Sequence, residues 1–532
     1  MEQNVRLQAT EKKQATGAGK QSLAFLIGAL LSYPLAYIYV DAVLLYEANH
    51  RSSGTMYIFY AGYLLFTLLF IASVELLRYF GSPKRKSTER AGAVRVAAAG
   101  RKTPAVLAGG LRFEGWFWAG ILLLQAIALT VYSPHAGPIG IWQTLLWHLT
   151  AVYYVLQRTD MLAAGRTGCL IGLDLLTGFL AIPCLNVMLR LMSVIRGIVS
   201  LKGPKKHRFS WVVLVSVLAA AVVVMIAWTQ LSAADDNFAR LGSRLSGWIE
   251  DVLESFSDEF VLKFILSVPV GCFLFALTGG AVRRERALMT SEEFARETAG
   301  FRRVPAVSAV IVIGALTTVY ALFFGLQAME FVSALGGSAA GTVISAPTAS
   351  HFAVQGFWEL FRILFLNMLV LGAFSFLMDT KNGRERNPLR RGALRVLTSV
   401  FAASGAAFAV LDLVKLGVYI HRYGYTPKRV LAGWFLCMLF LCAVIFVLRI
   451  FISFRAVPLA VFLMAAGFTL FSLLPLESMI TGANIARYEA GVDRGVDIDV
   501  LRECRYPDWE KYRDMDTAGD PYDDSYDSYE DY

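Results

Sequence analysis

The sequence predicts an all-α polytopic transmembrane helical bundle of about eleven spans, plus one re-entrant or interfacial hairpin. Three observations predict it. The 532 residues are 56% hydrophobic and only 17% charged, where soluble domains keep about 25% charged, and the mean hydropathy is +0.53. The apolar residues gather into runs of roughly 20, the length that crosses about 30 Å of hydrocarbon. Lysine and arginine concentrate in alternate loops, as the positive-inside rule requires. A β-barrel would instead show short alternating segments, and the sequence contains none.

Residues 1–22 are polar and basic, with Arg6, Lys12, Lys13 and Lys20. The run 23–45 that follows is too long for the apolar region of a cleavable signal, so it reads as the first span, with Pro34 as a kink. The second span is 56–77. The segment 78–112 then carries nine Lys/Arg against one acid, Glu89, and is expected to be cytoplasmic. Spans 113–132 and 139–156 follow. Segment 170–194 is apolar enough to cross but has basic residues on both flanks. A single crossing cannot satisfy that, whereas a helical hairpin broken near Pro183 does, either re-entrant in the protein or lying in the interface. These elements, 23–210, form the N-terminal membrane part.

The C-terminal membrane part, 211–474, holds spans 211–231, 260–277, 304–326, 357–378, 397–420, 430–448 and 457–474. Segment 232–259 has seven acids and two bases. Phe238, Leu241, Leu245, Trp248 and Val252 recur there at helical spacing, as in an amphipathic surface helix. Loops 283–303 and 381–395 carry six Lys/Arg each, while 328–356 carries none. This pattern places the N-terminus in the cytoplasm and, with an odd span count, the C-terminus outside, as expected for a bacterial cytoplasmic membrane. Residues 475–507 read as extracytoplasmic surface helices. From Asp508 the chain holds ten acids against two bases, with repeated Tyr-Asp pairs, so 508–532 is expected to be disordered. The basic loops suit anionic lipid headgroups and do not form a nucleic-acid reading surface. An envelope protein is the other expected partner.

Ionisable residues inside spans are costly. Glu359 and Arg362 lie three apart, as do Asp412 and Lys415, so each pair shares a helical face. Each either neutralises itself and snorkels or lines a polar cavity. The stretch YIHRYGYTPKRV, residues 419–430, adds Tyr419, Arg422, Tyr423, Gly424, Thr426 and Arg429 to this candidate cluster. Gly424 permits a tight reversal, and Thr426 is expected to N-cap the next helix, with Pro427 in its first turn. The basic residues are expected to face Asp412, the acids of 232–259 or phosphate headgroups. Asp174, Asn186 and Arg190, in 170–194, form a second candidate cluster. The six histidines lack metal-ligand spacing and the six cysteines form no CxxC pair,. No nucleotide or dinucleotide motif occurs. No cofactor, metal or catalytic residue is therefore expected.

Three motifs occur in order: His351 to Leu360 (HFAVQGFWEL), Tyr419 to Arg429, and Ile480 to Tyr488 (ITGANIARY) followed by Asp497 to Leu501 (DIDVL). Together they resemble a family of bacterial multi-pass membrane proteins known as a domain of unknown function, of the 4153/4173 type. The resemblance covers roughly 211–501. The chain departs from its pattern at His351, Val354, Lys415, Val418 and Tyr425. A Lys at 415 is a point charge where Arg would make a bidentate contact. The resemblance implies a multi-pass helical fold and no reaction. Three readings stay open: a transporter-like or channel-like protein, a non-catalytic sensor or scaffold acting on an envelope partner, and, with least support, an intramembrane enzyme on envelope lipids.

Overall fold

A computed structural model describes residues 2–45, 61–81, 106–132, 134–135, 137–201, 211–234, 258–283, 306–335, 388–493 and 495–515, with scattered residues in 240–247, 293–297 and 362–373. No strand occurs among them. The chain is helical, as a bilayer demands of backbone that cannot hydrogen-bond to water. The helices are α1 (Glu2–Tyr39), α2 (Gly62–Gly81), α3 (Val106–Tyr132), α4 (Gly137–Arg158), α5 (Ile171–Leu185) and α6 (Leu189–Leu201). Then come α7 (Trp211–Ala234), α8 (Asp258–Arg283), α9 (Ala306–Leu335), α10 (Pro388–Tyr423) and α11 (Pro427–Phe451). The last are α12 (Ala456–Ser472), α13 (Leu476–Glu489) and α14 (Ile498–Glu503), followed by a 3₁₀ helix, Trp509–Met515.

Among the described residues, six helices are long and apolar enough to cross a membrane, or eight if each of two bent pairs counts as one span. The expected eleven is not reached there. One reason is compositional: α4 carries Gln143, Thr144, His148 and Gln157 in its 22 residues. Most of the expected span 357–378 lies outside the described residues.

The chain divides into two compact units near residue 288, and α3 and α4 each contribute residues to both. In the first unit α1 packs on α2, α6 and α8 around Phe25, Ala29, Leu77, Leu189, Phe275 and Val282. It is this packing of α8 on α1 that keeps α8 with the N-terminal helices. A π turn, Val40–Leu44, extends α1 and carries Asp41, which shares the largely buried Lys263 with Glu259. Glu75 is likewise engaged. Arg158 grips it with both Nε and Nη2 (the latter 2.8 Å), and the Tyr154 hydroxyl donates to it at 2.9 Å.

The expected hairpin 170–194 is a helix pair, α5 and α6, bent by 51°. The break falls after Leu185, two residues beyond Pro183. Pro183 sits in the first turn after a π turn, Thr177–Ala181, where its missing N–H costs little,. Asn186 instead ends α5, its backbone N–H bonding to the Ile182 and Pro183 carbonyls.

In the second unit α10 packs on α9 and α11 around Ile313, Tyr320, Phe401 and Phe408. Ile139, Phe468, Phe471 and Leu476 form another core, edged by Trp434. Segment 475–507 holds the helices α13 and α14, which bury Leu476, Ile480, Val500 and Leu501. Order then continues past the expected boundary at Asp508: Tyr512 is buried among Val496, Leu501 and Tyr488, because its ring completes a small core of its own.

Candidate functional site

A helix leaves its last four carbonyls without intrahelical donors. At the end of α10 the donors to the Ile420, His421 and Tyr423 carbonyls can be identified, and all three come from the sequence motifs. Gly424, at φ +75°, donates its N–H to the Ile420 carbonyl at 2.9 Å, in a conformation that favours glycine,. Arg487 Nη2 donates to the His421 carbonyl at 2.6 Å. Arg429 Nη1 donates to the Tyr423 and Gly424 carbonyls at 2.8 and 2.9 Å, and Nη2 to the Tyr419 hydroxyl at 3.2 Å. The same guanidinium lies 4.4 Å over the Tyr419 ring. Two arginines thus sit at a helix C-terminus, where the helix dipole favours cations.

The turn is held from the far side as well. Asn484 on α13 accepts the Tyr425 N–H and donates to the Tyr425 carbonyl, both at 2.8 Å. A Cβ on Gly424 would lie 3.0 Å from the Asn484 amide oxygen, a second reason for glycine there. Asp493 fixes Arg487 through two bonds of 2.7 Å. Thr426 caps α11 by accepting the Arg429 N–H at 3.3 Å, and Pro427 opens that helix, as its sequence implied. Asp497 caps α14 through the Val500 N–H at 3.1 Å. Burial raises the carboxyl pKa of Asp497 and of Glu503 above the usual carboxylate range, and pushes the Cys504 thiol up to about 12.

Within this junction Arg429 serves helix-end carbonyls and an aromatic ring, and most of the 232–259 acids expected to face the basic turn lie outside the described residues. His421, Arg422 and Lys428 remain exposed, with Arg422 5.8 Å from the Tyr423 ring. Asp412 lies apart from the turn, on the α10 face one helical turn beyond Phe408. It is only 4% exposed, Oδ2 has no hydrogen-bond partner, and Lys415 is its electrostatic neighbour. Nearby in the same core, the Tyr320 hydroxyl donates to Asn367 Oδ1 at 2.6 Å while Asn367 Nδ2 has no partner. Arg362 is exposed, and Glu359 lies outside the described residues.

The second cluster, Asp174, Asn186 and Arg190, engages three different neighbours. Asp174 accepts the Ala163 N–H at 2.7 Å, with Oδ2 buried and unpartnered. Asn186 donates to the Ile182 carbonyl at 2.9 Å and packs against Gly280, where a side chain would not fit. Arg190 donates to the Ala29 carbonyl at 3.3 Å.

One constellation had no signal in the sequence. Where α12 meets α13 at a 62° bend, Pro475 has no N–H to offer, and carbonyls are freed. Tyr132 donates its hydroxyl to the Leu473 carbonyl at 2.9 Å, and His135 Nε2 donates to the Ser472 carbonyl at 3.1 Å. His135 Nδ1 is 3.9 Å from Glu477, and Gln143 Nε2 and Ser472 Oγ are buried without partners. Burial holds the His135 pKa below its ordinary value, with the Ser472 bond acting against it. Asn484 and Arg487, by contrast, were visible as motif residues, although nothing local shows what they grip. Among the described residues no three metal-ligating side chains converge.

No curated protein and no solved structure matches the chain. The sequence profile of a domain of unknown function, DUF4153, matches residues 117–507, a span that takes in the α10–α11 turn, Asn484, Arg487 and Asp497. With well over half of its length matched, the chain belongs to the DUF4153 family.

Proposed function

We propose that the chain is a transporter-like protein of a cytoplasmic membrane in which Asp412 takes up a proton or a monovalent cation. The observation that carries this reading is the burial of an unpartnered carboxylate oxygen within a long apolar helix. Ionisable groups at such depth are expensive and mark ion or proton pathways. Two bent apolar helix pairs support it, since discontinuous helices expose carbonyls that bind cations in transporters,. The basic loops argue for a cytoplasmic N-terminus and for a junction on the opposite face.

The test is flux. Purified protein in liposomes loaded with a pH dye, under an imposed potential, is expected to admit protons, sodium or potassium faster than protein-free vesicles. Asp412→Asn is expected to return the rate to the protein-free level. Equal rates for wild type and protein-free vesicles with all three ions overturn the reading. A sensor or scaffold role for an envelope partner is favoured by a different observation: the motif residues are spent on holding the junction together, not on a reacting group. Crosslinking in native membranes that recovers lipid alone would exclude it.

A further inference from the structure

Transport at Asp412 leaves the α12–α13 bend unused. Three residues joined there by hydrogen bonds each keep one buried polar atom without a partner: His135 Nδ1, Gln143 Nε2 and Ser472 Oγ. The residues are 3%, 0% and 0% exposed, so the place is sealed. We propose that these three atoms, with the Glu477 carboxyl, bind a single internal water molecule that fastens the α3–α4 turn to the bend.

His135 is the hub of the site. Its backbone N–H donates to Gln143 Oε1 at 3.4 Å, and its ring Nε2 donates to the Ser472 carbonyl at 3.1 Å. A carbonyl can only accept, so the ring proton sits on Nε2 and Nδ1 presents a lone pair. That lone pair faces Glu477 Oε1 at 3.9 Å, too far for a hydrogen bond. A lone pair and a carboxylate oxygen are also two acceptors, and a polar contact of this length is the kind that a water bridges. Gln143 has its amide oxygen committed to His135, so Nε2 still has N–H groups to give. Ser472 has its carbonyl committed and its hydroxyl unused.

The donor and acceptor pattern selects the occupant. Nδ1 and Glu477 Oε1 each accept, while Gln143 Nε2 donates and the Ser472 hydroxyl can donate. A water molecule gives two hydrogen bonds and takes two, which matches this set, and buried waters join otherwise unsatisfied groups in just this way. An amide N–H repels a metal cation, and among the described residues no three metal-ligating side chains converge. The carboxylate and the lone pair repel an anion. The complete burial of Gln143 and Ser472 leaves no room for a larger solute.

Hydroxyl-radical footprinting of the full-length protein in detergent tests this, because X-ray pulses split bound water in place and oxidise side chains that bulk radicals do not reach. His135 is expected to gain oxygen in peptide mass spectra, while Phe275, 1% exposed in an apolar core, does not. Ser472→Ala and Gln143→Met each withdraw one bond from the water and are expected to lose most of the His135 product. Gln143→Met nearly keeps the side-chain volume, so the footprint is still read if Ser472→Ala fails to fold. Ser472→Ala is also expected to lower the thermal midpoint. Without a water, that hydroxyl would be a buried group paired with nothing, and its removal would leave the midpoint equal or higher. An equal or higher midpoint therefore overturns the proposal. So does a His135 as unreactive as Phe275, or a His135 product that both variants retain, which would mean access from bulk solvent.

Discussion

Arg429 shows how one side chain can define a turn. Its guanidinium offers a planar fork of donors, and the turn presents two carbonyls and a hydroxyl to it. Arg429→Ala would leave two helix-end carbonyls without donors at an apolar boundary. The expected loss is about 2–3 kcal/mol, since bonds to charged donors contribute about 1.5–3 kcal/mol each, less what water recovers. Arg429→Lys is expected to restore little, because an ammonium is a point donor that cannot span both carbonyls and stack on Tyr419. Thermal unfolding in detergent measures both, and a Lys variant as stable as wild type would refute the fork. Gly424 and Thr426 were legible in the sequence because reversal and capping are local. The role of Arg429 was not, since its basic charge suggested an acidic partner when its partners are carbonyls.

Among elements, the two bent helix pairs carry most of the unusual chemistry. At both breaks a proline is close by, and side chains supply bonds that the helix has given up. His135 ties the α3–α4 turn to the α12–α13 bend through the Ser472 carbonyl. Its folded-state pKa is held below the unfolded value by burial, so the unfolded chain takes the proton more readily. The stability His135 contributes is therefore complete above about pH 6.5 and declines as the pH falls below it. Asp497 and Glu503 act in the opposite sense, because burial raises their pKa and acidification favours the folded form. Comparing wild type with His135→Gln isolates the first effect. The variant is expected to lose the decline between about pH 7 and pH 5, as read from unfolding midpoints. Equal slopes in the two proteins would contradict it.

At the scale of the molecule, the second unit gathers the α10–α11 turn, α13, α14 and the 3₁₀ helix at one end of its helices. The 25 residues of α11 extend roughly 37 Å, enough to separate the two faces of a membrane. In a background without native cysteines, Tyr425→Cys and Glu510→Cys are expected to react with an impermeant maleimide from one face of sealed vesicles. Ile452→Cys, between α11 and α12, is expected to react from the other face only. Reaction of Tyr425→Cys and Ile452→Cys from the same face would mean that α11 does not cross. The sequence by itself determined the class of this protein, an all-helical membrane chain, because apolar run length and local hydrogen bonding are properties of neighbouring residues. It also marked the glycine reversal, the threonine cap and the motif residues. Only the tertiary structure decided that the second and third motifs meet, because Asn484 reaches Tyr425 across 59 residues and Arg487 reaches His421 across 66. It likewise decided where the apolar segments bend and that the Asp174 and Asp412 Oδ2 atoms are left buried without a hydrogen-bond partner. Those outcomes depend on which carbonyls and side chains of distant segments come within hydrogen-bonding range, and no local pattern in the chain encodes that.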